Sequence, residues 1–202
     1  MLKIAITGTM GAGKTTVIQY LESIGYPVLI SDEIVNRLYQ EDSGFKQDLV
    51  DAFSARILDD AAGIDKRMVA ALVFADDQAL QHLEELIFPR VKQTIISYLQ
   101  RSSDELVFVE VPLLLESGFD ELFDIVLVVD APLEIRLERL LKYRGIAKEE
   151  ALRRMARQFS SSQKREKADY IIDNSGNYQE VHQQIDLLIR TLKERSDFNA
   201  GQ

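Results

Sequence analysis

Apolar residues follow two rhythms along this chain. In the first they form short, near-continuous runs, as in strands buried on both faces: Leu2–Thr7, Leu106–Val111, Ile125–Val129 and the shorter Tyr170–Asp173. Tyr26–Ile30 reads as a further short strand. In the second they recur at helical spacing, as Val17, Ile18, Leu21 and Ile24 before a stop at Gly25. Ile34, Val35 and Leu38 continue it after Ser31-Asp32-Glu33, and segments 44–54, 65–75 and 77–100 share it. Pro89 should kink or divide the last of these. Helical segments near 132–143 and 148–158 follow, and a final one near 178–195 carries Val181, Ile185, Leu188 and Leu192. Strands alternating with helices predict an α/β chain with a five-stranded parallel sheet and helices on both faces, in three layers. The stretch from about 33 to 104 is helical throughout until the strand at Leu106. That is long for a simple crossover, and it reads as a helical substrate-binding insertion in a single domain spanning 1–202.

The glycines change this from a fold to a function. Leu2–Thr7 runs straight into Gly8-Thr-Met-Gly-Ala-Gly13-Lys14-Thr15, and a helical segment follows. Gly-x-x-x-x-Gly-Lys-Thr between a strand and a helix is the context of the phosphate-binding loop, so the fold expected is that of P-loop NTPases. Gly8 turns the chain off the strand, and Gly11 and Gly13 let phosphate oxygens approach the backbone. Lys14 would reach the β- and γ-phosphates, and the Thr15 hydroxyl would ligate Mg²⁺.

Charge then narrows the partners. Net charge is −9 and pI about 4.8, which argues against nucleic acid as a partner. No cysteine is present, so disulfides, thiolate metal sites and thiol nucleophiles are excluded. There is no leader-like N-terminal pattern and no apolar run of membrane-spanning length, and a cytoplasmic protein is expected. His82 and His182 lie in polar stretches without metal-ligand spacing, and Ser160-Ser-Ser162 reads as a turn.

In an open parallel sheet, ligands bind beyond the carboxyl ends of the strands, and acids stand at three such ends. Asp32 is a candidate general base or an orienter of an acceptor hydroxyl, unless it caps the helix that follows. Glu110 would hold Mg²⁺ through water, unless it is merely an acid satisfied at a strand end. Asp130 precedes Ala-Pro and is expected to cap the helix starting at Pro132. Cations cluster later: Arg136, Arg139, Lys142 and Arg144, then Arg153, Arg154, Arg157, Lys164, Arg165 and Lys167. In a phosphoryl-transfer enzyme a charged segment at about 136–167 would be a lid that neutralises the transferring group and excludes water. The plainer alternative is a solvated helix face paired with Glu138, Glu149 and Glu150.

Taken together, these residues resemble the dephospho-coenzyme A kinase family. The likeness is carried by Gly8–Thr15, Ser31-Asp32-Glu33-Ile34, Gly63-Ile-Asp-Lys-Arg67 with Val73-Phe74, and Leu83-Glu-Glu-Leu-Ile87 before Pro89. It continues through Val111-Pro-Leu-Leu-Leu-Glu116, Arg139, Arg144, Gln158 and Ala168-Asp-Tyr-Ile-Ile-Asp-Asn174, nearly the whole chain. The resemblance implies a core of the nucleoside-monophosphate-kinase type with a helical acceptor domain and a lid. It implies transfer of the ATP γ-phosphate to the ribose 3′-hydroxyl of dephospho-CoA, the last step of CoA synthesis. Gly8, Gly11, Ala12, Gly13, Lys14, Thr15 and Thr16 would then bind ATP, and Asp32 would face the acceptor hydroxyl. Pro112, Leu113, Leu114 and Glu116 would line the acceptor pocket, while Arg139 and Arg144 would serve the lid.

The departures fall mostly on the acceptor side. The family's Asp-Ala-Asp is Ile30-Ser31-Asp32 here, its His-Pro is Phe88-Pro89, and its Asp-Arg is Asp65-Lys66 with Arg67 next. Its Gly-Gly-Ile loop start is Gly8-Thr9-Met10, at positions the loop pattern leaves free. A lost hydrogen-bonding group can alter specificity strongly. The alternatives are therefore a related nucleotide or small-molecule kinase with a changed acceptor, or a nucleotide-binding protein that has lost catalysis. A GTPase reading lacks its Asn-Lys-x-Asp.

Overall fold

The computed structural model describes residues 1–200, with side chains through Arg195. Its sheet is built from β1 (Leu2–Thr7), β2 (Val28–Ile30), β3 (Leu106–Glu110), β4 (Ile125–Asp130) and β5 (Tyr170–Asp173), in the order β2-β3-β1-β4-β5. β1 pairs in parallel with β3 and β4, and β4 with β5. Every residue of β3 and β4 is buried, which requires cover on both faces of the sheet. The register sets Ile6 beside Glu110 and Thr7 beside Val128, so the chain leaves β1 between the ends of the two strands that flank it. The second strand is shorter than its apolar run: Tyr26 and Pro27 stay outside it, and the Tyr26 ring meets Phe108 edge-on at 5.7 Å.

Two compact units emerge. The first comprises residues up to Leu29 and from Leu99 onward and contains α1 (Lys14–Ser23), α6 (Leu133–Arg144), α7 (Lys148–Met155), α8 (Ser161–Glu166) and α9 (Tyr178–Ala200). α1 packs on α9, where Tyr20 stacks on His182 at 3.7 Å and donates to Asp186 at 2.8 Å. His182 thus has a packing role. α6 ends at Gly145 (φ 63°), where the Gly145 and Ile146 N–H groups return to the carbonyls of Leu141 and Leu140.

The second unit, Ile30–Tyr98, holds α2 (Ser31–Glu41), α3 (Ser43–Phe53), α4 (Lys66–Ala75) and most of α5 (Asp77–Arg101). Its own core joins Phe45, Leu49, Phe53, Ile57, Val69, Val73 and Leu83. Arg90 clamps its α3 side, pairing with Asp42 and Asp48 and lying 5.3 Å from the Phe45 ring centroid. Pro89 does not divide α5. The helix runs unbroken across it, with the Arg90 guanidinium donating to the Leu86 carbonyl (2.8 Å) in the same turn.

Two local expectations are corrected, and one alternative is removed. Asp130 caps nothing: α6 begins at Leu133 with Pro132 in the capping position and no side-chain bond. Ser160–Ser162 is the start of α8, not a turn. Ser160 accepts from Gln163 N–H and the Gln163 side chain accepts from Ser160 N–H, a full capping box. Asp32 is not a cap either, because α2 starts one residue before it, with Ile30 at the capping position.

Candidate active site

The turn after β1 is possible only with glycine. Gly8 has φ 154°, and a Cβ there would stand 2.3 Å from the Val129 carbonyl oxygen. Gly13, at φ 90°, would bring one within 2.1 Å of Asn174 Nδ2. The loop therefore lies tight against β4 and against the residue following β5. Asn174 donates to the carbonyls of Ala12 (2.8 Å) and Gly13 (3.3 Å), and Arg139 donates to those of Ala12 (3.3 Å) and Asn174 (2.8 Å). With its carbonyls tied back, the loop presents amides. Among the described residues, the N–H groups of Gly11, Gly13, Lys14 and Thr15 donate to no protein acceptor. Ala12 N–H turns to Thr9 O (3.1 Å) and Thr16 N–H to Gly13 O (3.0 Å), closing the loop on itself.

α1 starts at this row of amides with no side-chain cap and no acid in its first turn. Its positive end is thus left for an external anion. Lys14 Nζ lies 3.2 Å from Gly8 O and 3.6 Å from Glu110 Oε1. Glu110, the last residue of β3, is buried. Thr15 is exposed in the first turn of α1, and its hydroxyl makes no hydrogen bond among the described residues.

Behind the loop stands Arg136. It is buried, donates to Thr9 Oγ1 at 2.7 Å, and leaves its Nε without a partner. Burial pushes its pKa down, while Asp130 and Glu134 oppose that shift. Arg136 and Arg139 are thus bonded to the phosphate loop, and Arg144 is exposed at the end of α6.

The segment after β3 is held from the other side. Pro112 O accepts from Thr7 Oγ1 (3.2 Å) and from Lys164 Nζ (2.8 Å). Glu116 accepts from Phe159 N–H (2.7 Å) and pairs with Lys164 at 3.1 Å. Leu114 is fully buried as packing, while Pro112, Leu113 and Glu116 are half-buried. Asp130 accepts from Ser161 and pairs with Arg165 at 2.8 Å. Burial raises the Asp130 pKa, but these partners and the Ala131 N–H outweigh it and hold it below the usual carboxylate value. Lys164, Asn174 and Thr7 were not singled out as site residues by sequence pattern. Lys164 entered only as a member of the charge cluster at about 136–167, and Asn174 only as the end of the family's Ala168–Asn174 stretch.

In the second unit, Asp32 is exposed in the first turn of α2, two residues after β2 ends, and its carboxylate has no partner among the described residues.

A parallel sheet whose first strand opens into such an amide row defines a P-loop kinase. A shikimate kinase from Acinetobacter baumannii shares the fold alone, with TM-score 0.54 at 21% identity over 95% of this chain and 94% of that one. The match becomes specific with the family model for dephospho-CoA kinase, which covers residues 2–180: the chain belongs to the dephospho-CoA kinase family. A dephospho-CoA kinase of Deinococcus radiodurans is 36% identical across 95% of this chain and 92% of its own length. A solved Thermus thermophilus protein is 33% identical with TM-score 0.83, covering 95% of this chain and 97% of that one.

Proposed function

We propose that this chain phosphorylates the ribose 3′-hydroxyl of dephospho-CoA with ATP, giving CoA in the last step of its biosynthesis. One observation carries the reading: the amides of Gly11, Gly13, Lys14 and Thr15, which donate to no acceptor among the described residues, in a chain that the family matches over residues 2–180. The amides and Lys14 hold the β- and γ-phosphates. Asp32 orients the 3′-hydroxyl and takes its proton as the acceptor oxygen bonds to the γ-phosphorus. The bond from that phosphorus to the bridging β–γ oxygen breaks, and ADP leaves. Arg139 braces the loop from behind, and Arg144 comes from the lid to the transferring group. The helical stretch from about 33 to 104 serves as the acceptor-binding insertion, Pro112–Glu116 lines the acceptor pocket, and a cytoplasmic location suits a supply of ATP.

The donor set fits Mg²⁺. No cluster of three or more acidic or histidine ligands exists among the described residues, and Mg²⁺ at a phosphate loop needs none. Thr15 would hold it directly and Glu110 through water, and when bound it would supply neutralisation of phosphate charge.

The departures that bear on acceptor choice are Ile30, at the capping position of α2 without a side-chain cap, and Phe88 in α5, where the family's pattern has an acid and a histidine. A coupled ADP-release assay across acceptors tests the reading. Turnover with dephospho-CoA is expected, and turnover with other acceptors but none with dephospho-CoA would sink it.

A further inference from the structure

Lys164 is the least expected charge in the protein. It sits on the six-residue helix α8 and is completely buried. Burying an ammonium is costly unless its donors are met, and a flexible lysine at a surface helix would ordinarily reach solvent. Here two partners meet them: Pro112 O at 2.8 Å and Glu116 at 3.1 Å. Both lie in the segment after β3, at its two ends.

The Pro112 carbonyl is a junction of three pieces. Thr7, the last residue of β1 before the phosphate loop, donates to the same oxygen at 3.2 Å. Glu116 is engaged as well, since Phe159 N–H donates to it at 2.7 Å. The chain from Gln158 to Arg165 is thereby stitched across the strand ends. Gln158 accepts from Met10 N–H (3.3 Å) at the loop tip, while Ser161 and Arg165 hold Asp130 at the end of β4. Lys164 Nζ reaches both Glu116 oxygens, at 3.1 and 3.2 Å, so the carboxylate is held against α8.

We propose that Lys164 is a positioning residue for the acceptor: its ammonium fixes both ends of Pro112–Glu116 and sets that segment against the strand that carries the phosphate loop. The proposal rests on the reading that Pro112–Glu116 lines the acceptor pocket. It narrows the moving part of the lid to the stretch from Arg144 through α7, because Arg136 and Arg139 tie the body of α6 to the loop and Gln158–Arg165 is tied to the strand ends.

The test is a split of Michaelis constants in the full chain. Lys164→Met is expected to raise KM for dephospho-CoA by ~10-fold to ~100-fold, the scale of a small misplacement of a binding group. KM for ATP should move less than about 3-fold on the same grounds, since no phosphate-loop bond is touched. Lys164→Arg, which keeps the charge and the donors, should recover part of the loss. If Lys164→Met does not fold, Glu116→Gln, which keeps the shape and removes the pair's negative charge, should show the same split. Two results overturn the proposal: both KM values rising together with a falling melting temperature, or neither KM moving. Calorimetry with unmodified protein separates the two layers. If it fails to bind dephospho-CoA, the pocket reading fails, and the split is then read with whichever acceptor supports ADP release. Its absence there overturns the role of Lys164 independently.

Discussion

The Lys14 ammonium stands 3.6 Å from the Glu110 carboxylate, and the β1–β3 register, which pairs Ile6 with Glu110, sets that carboxylate beside the end of β1. The loop lysine therefore has a fixed counter-charge at its back. Glu110 is buried, so the pair is less screened by solvent than a surface one. An ammonium held in place needs little rearrangement to meet phosphate oxygens.

Removing that ammonium should abolish transfer with the fold intact. Lys14→Met is expected to lower kcat by ~10²-fold to ~10³-fold, the loss typical of one preorganised charge stabiliser. ADP release measures it, and retention of more than half the activity would contradict the role of Lys14.

Glu110→Gln separates metal holding from lysine holding. If Glu110 serves Mg²⁺ as proposed, the Mg²⁺ concentration for half-maximal rate should rise by about 10-fold or more, as for loss of an outer-shell partner. A variant with unchanged Mg²⁺ dependence and a reduced kcat would leave Glu110 as an anchor for Lys14 alone.

Asp32→Asn keeps the size of the side chain and removes the base. Its kcat should fall ~10²-fold to ~10⁴-fold, the usual range for a lost general base, with the dissociation constant for ATP unchanged. Unchanged turnover would eliminate Asp32 as base.

The two turning glycines should respond differently to alanine. Gly8→Ala forces a methyl to 2.3 Å from a backbone oxygen of β4 and should cost more than ~3 kcal/mol, with loss of nucleotide binding. Gly25→Ala meets nothing within 4 Å, and its φ of 91° alone should cost ~1–2 kcal/mol. Denaturant melts of both variants settle the order.

Asp130 predicts a feature of acid unfolding. Its folded pKa is depressed below 3.8, so the stability it lends is complete above that value and is lost as pH falls through the lower, folded one. Asp130→Asn should therefore be less stable than the parent at neutral pH. The difference should shrink below about pH 4, where Asp130 of the unfolded chain begins to take up a proton while the folded carboxylate still resists it. A difference that stays constant down to pH 2 would contradict the linkage.

Much of this protein was legible in its sequence because the signals are local. The runs at Leu106 and Ile125 could only be strands buried on both faces, and both are buried throughout. Gly8 marked a turn off the strand, and Gly11 and Gly13 a backbone open to close approach; all three have positive φ. The charge cluster at 136–167 was visible too, but its division was not. Arg136 and Arg139 bond to a loop more than a hundred residues earlier, and no spacing rule encodes a partner at that distance. Asp130 looked like a cap because caps are decided within a few residues, whereas Ser161 and Arg165 reach it only through the sheet. The same holds for Lys164, whose stretch of chain has no apolar period to suggest burial.

Sequence by itself determined the strands, most of the helices and the loop that presents amides to phosphate, since each depends on backbone geometry and neighbours along the chain. Tertiary structure decided which charges serve that loop. Folding brought Glu110 to Lys14, Arg136 to Thr9 and Lys164 to Pro112, and a charge acquires its role from the dielectric and the partners around it.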